Sequence, residues 1–283
     1  MAQKSGATCG DFRRQNGGIH GSMPGSMEIT ILASGSAGNA VLLRSDSAAV
    51  LVDAGLSARK LCKLLESVGC PAASLTAILL THEHGDHARG LKVLAPKANV
   101  PVYATPLTAD SLRRSGVEAR WVLFSSGSRF LLGDFEVLPF SVPHDAADPV
   151  GFVMRTGDRA FGVLTDLGYG TRQVIESVRG VEALLIETNH DEDLLNRDPK
   201  RPWSVKQRIL SRHGHLSNAA AAELVAQIAT ERLRHVVLGH LSRDCNSTDL
   251  ATLAVRHRLT GRDDIQIHCA PNDEAADPLR LVI

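Results

Sequence analysis

Aromatic residues are scarce, at 4% of the 283-residue chain, so Leu, Val, Ile and Ala must do most of the packing. The overall hydrophobic share of 43% still allows a sizeable core, and the length fits one large α/β domain. Net charge is lacking as well: 31 Lys and Arg balance 31 Asp and Glu. Neutrality provides no global field to attract nucleic acid, although it leaves room for a local basic face. Cysteine is sparse and unpatterned. Cys9, Cys62, Cys70, Cys245 and Cys269 are odd in number and form no C-x-x-C pair. This argues against a disulfide framework and fits a reducing cytoplasm. No apolar run approaches membrane-spanning length, and the N-terminus lacks the apolar stretch of a signal peptide. The expectation is a cytoplasmic chain with no membrane partner.

Residues 1–26 are rich in Gly, Ser and Gln without periodicity, and are expected to be a disordered extension. The folded domain is then 27–283. Strands are predicted over 27–32, 40–44, 49–52 and 77–80, with a Gly-rich turn at 34–39. Leu61, Leu64, Leu65 and Val68 have helical spacing within 57–68. A helix is expected from Asp86 through Leu94. Further strands are predicted at 100–104, 135–140, 151–155, 160–164, 181–187, 235–238 and 265–269. The helices expected later in the chain cover 107–115, 204–212, 217–228 and 248–259.

The ends of these strands carry the chemistry. Asp53, His82, His144, Asp166, Glu187 and His240 each close an apolar run. Ligands at strand ends share one edge of a sheet, where α/β proteins place their sites. The densest group is His82-Glu-His84-Gly-Asp86-His87. A turn leaving a strand can aim His82 and His84 at one ion and Asp86 and His87 at a second. Histidine with carboxylate suits Zn, Mn or Fe. His144, Asp166 and His240 would complete the two ligand sets; taken singly, each could instead be a hydrogen-bonded structural residue.

The H-x-H-x-D-H motif, followed in order by His144, Asp166 and His240 and preceded by Asp53, resembles the metallo-β-lactamase superfamily. The resemblance implies an αββα sandwich in one compact domain. It also implies that His82, His84 and His144 bind one divalent metal, that Asp86, His87 and His240 bind another, and that Asp166 bridges them. Asp53 matches an aspartate that supports the site through hydrogen bonds. Smaller motifs narrow the branch. Ala33-Ser-Gly-Ser-Ala-Gly-Asn39, His144-Asp-Ala-Ala-Asp-Pro-Val-Gly-Phe152, Glu187-Thr-Asn-His-Asp191, His215-Leu-Ser-Asn218 and His240-Leu-Ser-Arg-Asp-Cys-Asn246 are together similar to the YycJ (WalJ) family. That family is bacterial, cytoplasmic and linked to DNA exonuclease activity. Thr188 departs from the serine expected there.

The resemblance therefore implies a phosphodiesterase that uses a hydroxide held by two metals, acting as a DNA 5′–3′ exonuclease in repair. DNA is favoured over RNA as partner. An alternative is a thioester or lactone hydrolase of the same fold, since the same ions can polarise a carbonyl. A third reading is a non-catalytic, repair-associated binding protein, against which the full ligand set counts. Asp86 is expected in the catalytic centre. His215 is the candidate general acid, with Glu187 orienting it. The alternative for that pair is a helix cap and a buried ion pair. His190 is expected either to hydrogen-bond within its turn or to touch phosphate. Ser34 and Asn39, in the Gly-rich turn, are candidate substrate contacts. So are Lys200 and Arg201, in a basic run from Arg197 to Arg212 that also holds Trp203. The alternative for that run is a solvated charged face.

Overall fold

The computed structural model describes residues 25–272 and 276–283. The expectation for residues 1–26 lies outside the described residues apart from Gly25 and Ser26. The first half of the chain runs β1 (Glu28–Ala33), β2 (Ala40–Arg44), β3 (Ala49–Val52), α1 (Ala58–Ser67), β4 (Ala77–Leu79), α2 (Gly85–Ala88), α3 (Leu91–Ala98), β5 (Pro101–Ala104), α4 (Pro106–Arg114) and β6 (Arg120–Leu123). The second half runs β7 (Phe130–Leu132), β8 (Phe135–Ser141), β9 (Val150–Thr156), β10 (Arg159–Leu164), α5 (Arg172–Val178), β11 (Ala183–Glu187), α6 (Glu192–Arg197), α7 (Trp203–Ile209), α8 (Asn218–Ile228), β12 (His235–Gly239), α9 (Thr248–Arg258), β13 (Gln266–Cys269) and β14 (Leu279–Val282).

Two seven-stranded sheets result, in the orders β14-β1-β2-β3-β4-β5-β6 and β13-β12-β11-β10-β9-β8-β7. Their central strands read as nearly continuous apolar runs because both faces are covered. Alternate residues go to different cores. In β3, Val50 and Val52 enter the core between the sheets, while Leu51 packs with Leu61 and Leu65 of α1. In β11, Ala183 and Leu185 face the other sheet, while Leu184 and Ile186 meet α5 and α8 through Val178 and Val225. Phe135, Phe152 and Phe161 are fully buried between the sheets, so the few aromatics are concentrated at the centre. The layers are helix, sheet, sheet, helix, as expected. No described helix is long and apolar enough to cross a membrane.

The parallel strands β3, β4, β10, β11 and β12 deliver their C-terminal ends to one edge. The helix expected from Asp86 to Leu94 is broken there. Gly90 N donates to Ala54 O at 2.8 Å, and a Cβ at Gly90 would lie 2.5 Å from Leu56 O, so the backbone is drawn against the loop after β3. Edge strands β6, β7 and β14, and the short helices α5 and α6, go beyond what periodicity predicted. They are three to seven residues long, and the strands are half-exposed.

Gly55 shows how closely the loops are fitted. A Cβ there would sit 1.6 Å from Asp86 O and 2.7 Å from Asn39 N. Gly55→Ala is therefore expected to destabilise the fold by about 3 kcal/mol, at the upper end of overpacking costs. It should also displace Asp86 and lower metal content. Urea denaturation with metal analysis checks this; a wild-type midpoint and metal load would contradict it.

Candidate metal centre

Asp53, Asp166 and His240 follow β3, β10 and β12, and all three have left-handed backbone conformations, with φ of 61°, 47° and 55°. Such angles are uncommon outside glycine and cost roughly 1–3 kcal/mol each unless the surroundings enforce them. Here they turn the chain sharply at the sheet edge and aim the side chains across it. His82 and His84 leave the end of β4, and His144 leaves the loop after β8.

Three groups of candidate ligands form among the described residues; two are the expected sets, and the third, Asp166, Glu187, His215 and His240, overlaps the second. In the first, His82 Nε2 lies 3.1 Å from His84 Nδ1, which lies 3.3 Å from His144 Nε2. His144 Nδ1 donates to Gly214 O at 3.1 Å, which leaves Nε2 facing the other two rings. In the second, His87 Nε2 lies 2.5 Å from Asp166 Oδ2 and 3.6 Å from Asp86 Oδ2, and His240 Nε2 lies 3.4 Å from Asp86 Oδ2. Asp166 also approaches the first group, at 3.8 Å from His82 Nε2.

The residues fit divalent cations on a direct structural test. Both Asp166 carboxylate oxygens and His240 Nε2 are buried, and their side-chain neighbours among the described residues are ion-pair contacts to His87, His240, His215, His82 and Asp86, none of them a well-aligned hydrogen bond. Buried polar atoms are rarely left so. Three imidazole nitrogens facing one another, beside a carboxylate group, are the donor set a borderline metal takes. Burial and the neighbouring His87 hold His82 well below its ordinary pKa, which keeps its lone pair available. Burial likewise lowers His144.

A supporting set holds these ligands. Asp53 accepts from Thr81 N at 2.9 Å, from Thr81 Oγ1 at 2.9 Å and from His87 Nδ1 at 2.7 Å, so His87 is turned Nε2-first to the centre. Burial opposes protonation of His87, but Asp166 and Asp53 outweigh it and hold the pKa well above the ordinary value. Thr81, which sequence reading passed over, also contacts His82 Nδ1 at 3.0 Å; its one signal was a polar residue between an apolar strand and the histidines. Glu187 is fully buried and accepts from Leu167 N at 3.0 Å and Leu216 N at 3.2 Å. Its Oε1 takes His215 Nδ1 at 2.6 Å and His240 Nδ1 at 2.8 Å. Glu187 and His215 are thus in contact, as both readings of that pair require, and Glu187 holds the His240 ring as well.

The candidate substrate contacts sit differently from the expectation. Ser34 and Asn39 are 1% and 2% exposed. Ser34 Oγ accepts from His240 N at 3.0 Å, and Asn39 Nδ2 lies 3.0 Å from His87 Nε2, so both side chains support the centre from behind. Lys200 pairs with Asp244 at 2.7 Å, while Arg201 pairs with Asp198 at 2.5 Å and Asp244 at 3.2 Å, so their charges are matched within the protein. His190 is buried, and neither ring nitrogen has a partner among the described residues, so it neither hydrogen-bonds within its turn nor reaches solvent. Trp203 is 62% exposed.

This fold and this edge of histidines and aspartates define a metal-dependent hydrolase. A family described as "Beta-lactamase superfamily domain" matches residues 48–241. The chain is 38% identical over 236 residues to "Exodeoxyribonuclease YycJ" of Bacillus anthracis, covering 82% of this chain and 89% of that one. It is 37% identical over 241 residues to "Exodeoxyribonuclease WalJ" of Streptococcus pneumoniae, covering 83% and 89%. Among solved structures, the metallo-β-lactamase fold protein YhfI from Bacillus subtilis superposes with a TM-score of 0.70 over 91% of this chain and 99% of that one, at 16% identity, which shows the shared fold. The chain belongs to the β-lactamase superfamily and, within it, to the family of YycJ and WalJ.

Two substitutions separate ligand from support. Asp86→Ala is expected to lose metal from the second group. Asp53→Ala, which frees the His87 ring, is expected to weaken metal affinity by about 10–100-fold, the usual effect of losing an outer hydrogen bond. Metal titration against a chelating indicator reads both; wild-type affinity in Asp86→Ala would remove it from the ligand set.

Proposed function

We propose that this chain is a two-metal phosphodiesterase that degrades DNA from the 5′ end, working in repair within the cytoplasm. The observation that carries the reading is the two adjoining groups of candidate ligands, with Asp166 in the second and 3.8 Å from His82 of the first, and with His215 beside Asp166 at their edge. Family membership beside two named exodeoxyribonucleases supports DNA as substrate. The described cysteines are all unpaired, which suits a reducing compartment.

His82, His84 and His144 would hold one ion; Asp86, His87 and His240 would hold the other, with Asp166 between them. Bound there, Zn, Mn or Fe would activate water near neutral pH and stabilise negative charge on the phosphoryl oxygens. The protein's own residues do the rest. Burial pulls the His215 pKa down, but Glu187 and Asp166 outweigh it and raise it to about 10. His215 is therefore an imidazolium at neutral pH. Its Nδ1–H donates to Glu187, which leaves the proton on Nε2 for the departing oxygen. Glu187 stays ionised: burial pushes its pKa up, but His215 and His240 bring it to about 2. The shared Oε1 fixes the rings of His215 and His240 together, so the proton donor and a ligand keep one geometry.

An end-labelled DNA duplex tests the reading. Metal-free protein should be inactive, and added Mn or Zn should restore products released from the 5′ end. His215→Ala should retain its metals and slow cleavage by roughly 10²–10⁴-fold, as for loss of a general acid. Retained metals with no cleavage of DNA or RNA would point instead to a carbonyl substrate such as a thioester or lactone.

A further inference from the structure

The basic run from Arg197 to Arg212 is mostly consumed by the protein itself. Arg197 lies 3.8 Å from Asp193, and Lys200 and Arg201 are paired as described above. Arg208 pairs with Asp145, and Lys206 is buried with Nζ donating to Asn196 O at 2.8 Å. Arg212 is the exception. Among the described residues it has no carboxylate partner; its guanidinium lies over the Tyr169 ring, 4.3 Å from the centroid. The Tyr169 hydroxyl has no hydrogen bond among the described residues either.

The place of this pair is fixed by the centre. Tyr169 is three residues beyond Asp166, and Arg212 is three residues before His215. Three peptide steps span at most about 11 Å. The two loops are pressed together: a Cβ at Gly168 would lie 2.3 Å from Arg212 O. Both are tied to the His144 loop, through Gly168 N to Pro143 O at 2.8 Å and Asp145 N to His213 O at 3.0 Å. An exposed arginine without a carboxylate partner among the described residues is therefore carried on a loop packed against the one that follows Asp166.

We propose that Arg212 anchors the substrate strand by binding a phosphate next to the scissile one, and that Tyr169 positions it by holding the guanidinium over its ring. This rests on the phosphodiesterase reading and names the residue that grips the strand. A guanidinium offers two parallel N–H donors to phosphate oxygens, and stacking on an aromatic face orders the long side chain beforehand. Lys200 and Arg201 would have to give up carboxylates to do the same. The ligand chemistry is a phosphate group on a nucleic-acid strand, internal or at the 5′ terminus.

Steady-state cleavage of labelled DNA and salt-dependent binding of a 5′-phosphorylated oligonucleotide to the metal-free protein test the assignment. Arg212→Gln should raise KM about 10-fold, the scale of one charged phosphate contact, with kcat within about twofold. It should reduce the slope of log affinity against log salt by about one. Tyr169→Phe keeps the ring face and should shift KM less than Tyr169→Leu does. Tyr169→Leu should shift KM in the same direction as Arg212→Gln and add nothing further in the double variant. An effect confined to 5′-phosphorylated DNA would place the terminal phosphate there; an equal effect on 5′-hydroxyl DNA would place an internal one. Unchanged KM and salt slope in Arg212→Gln, or a kcat loss accompanied by a lower melting temperature, would overturn the anchor and leave the pair as loop packing. Absence of DNA cleavage by wild type would instead strike the nuclease reading, while the binding slope still tests Arg212 separately.

Discussion

The carboxylate of Asp166 is the constraint around which the rest is arranged. It is buried just beyond the end of β10, on a left-handed backbone, with both oxygens facing histidine rings. A buried charge in that state is costly unless opposite charge surrounds it. His87 stands 2.5 Å from one oxygen and His240 2.6 Å from the other. Burial alone would raise the Asp166 pKa, but His240 and His87 hold it well below the ordinary range. With protein groups alone, the centre balances by drawing protons onto those two histidines. Divalent cations would supply the same balancing charge and free the imidazole lone pairs, so metal and proton compete for one set of atoms.

The double-sheet fold supplies what this balance needs. β10, β11 and β12 are parallel neighbours, so Asp166, Glu187 and His240 emerge side by side. Glu187 is the last residue of β11 and pairs in register with Gly239, one residue before His240. That adjacency lets one carboxylate oxygen reach two histidines from different parts of the chain. In the other sheet, β3 and β4 are also parallel neighbours, which brings Asp53 beside Thr81 and, through it, to the histidine cluster. The Gly-rich turn lies behind both halves: Ser34 holds the backbone of His240, while Asn39 holds the backbone of Asp86.

These relations explain what could be read in advance. The central strands were legible because burial on both faces makes them apolar throughout, and several candidate ligands were legible because each ends such a run. The cluster from His82 to His87 is local in sequence and needs no tertiary knowledge. Pairings across the chain were not legible. Lys200 and Arg201 look like a basic patch until Asp244, more than forty residues away, is placed beside them. Ser34 and Asn39 sit in a Gly-rich turn, and nothing local shows that their side chains meet His240 and His87. Thr81 carried too little signal on its own, being a common residue whose importance comes from three neighbours meeting at one hydroxyl.

Zero net charge acquires a meaning on the proposed reading. Nucleic-acid binding normally draws much of its affinity from many lysine and arginine contacts to phosphate, and such contacts make it strongly salt-dependent. Here the arginines and lysines of the 197–212 run are nearly all matched or buried, and the run's carboxylate partners are themselves part of the fold. Recognition would then fall to the centre itself and to the few cations left over beside it. A strand end entering that edge would meet the charge of Arg212 and of any bound cations at the point of chemistry.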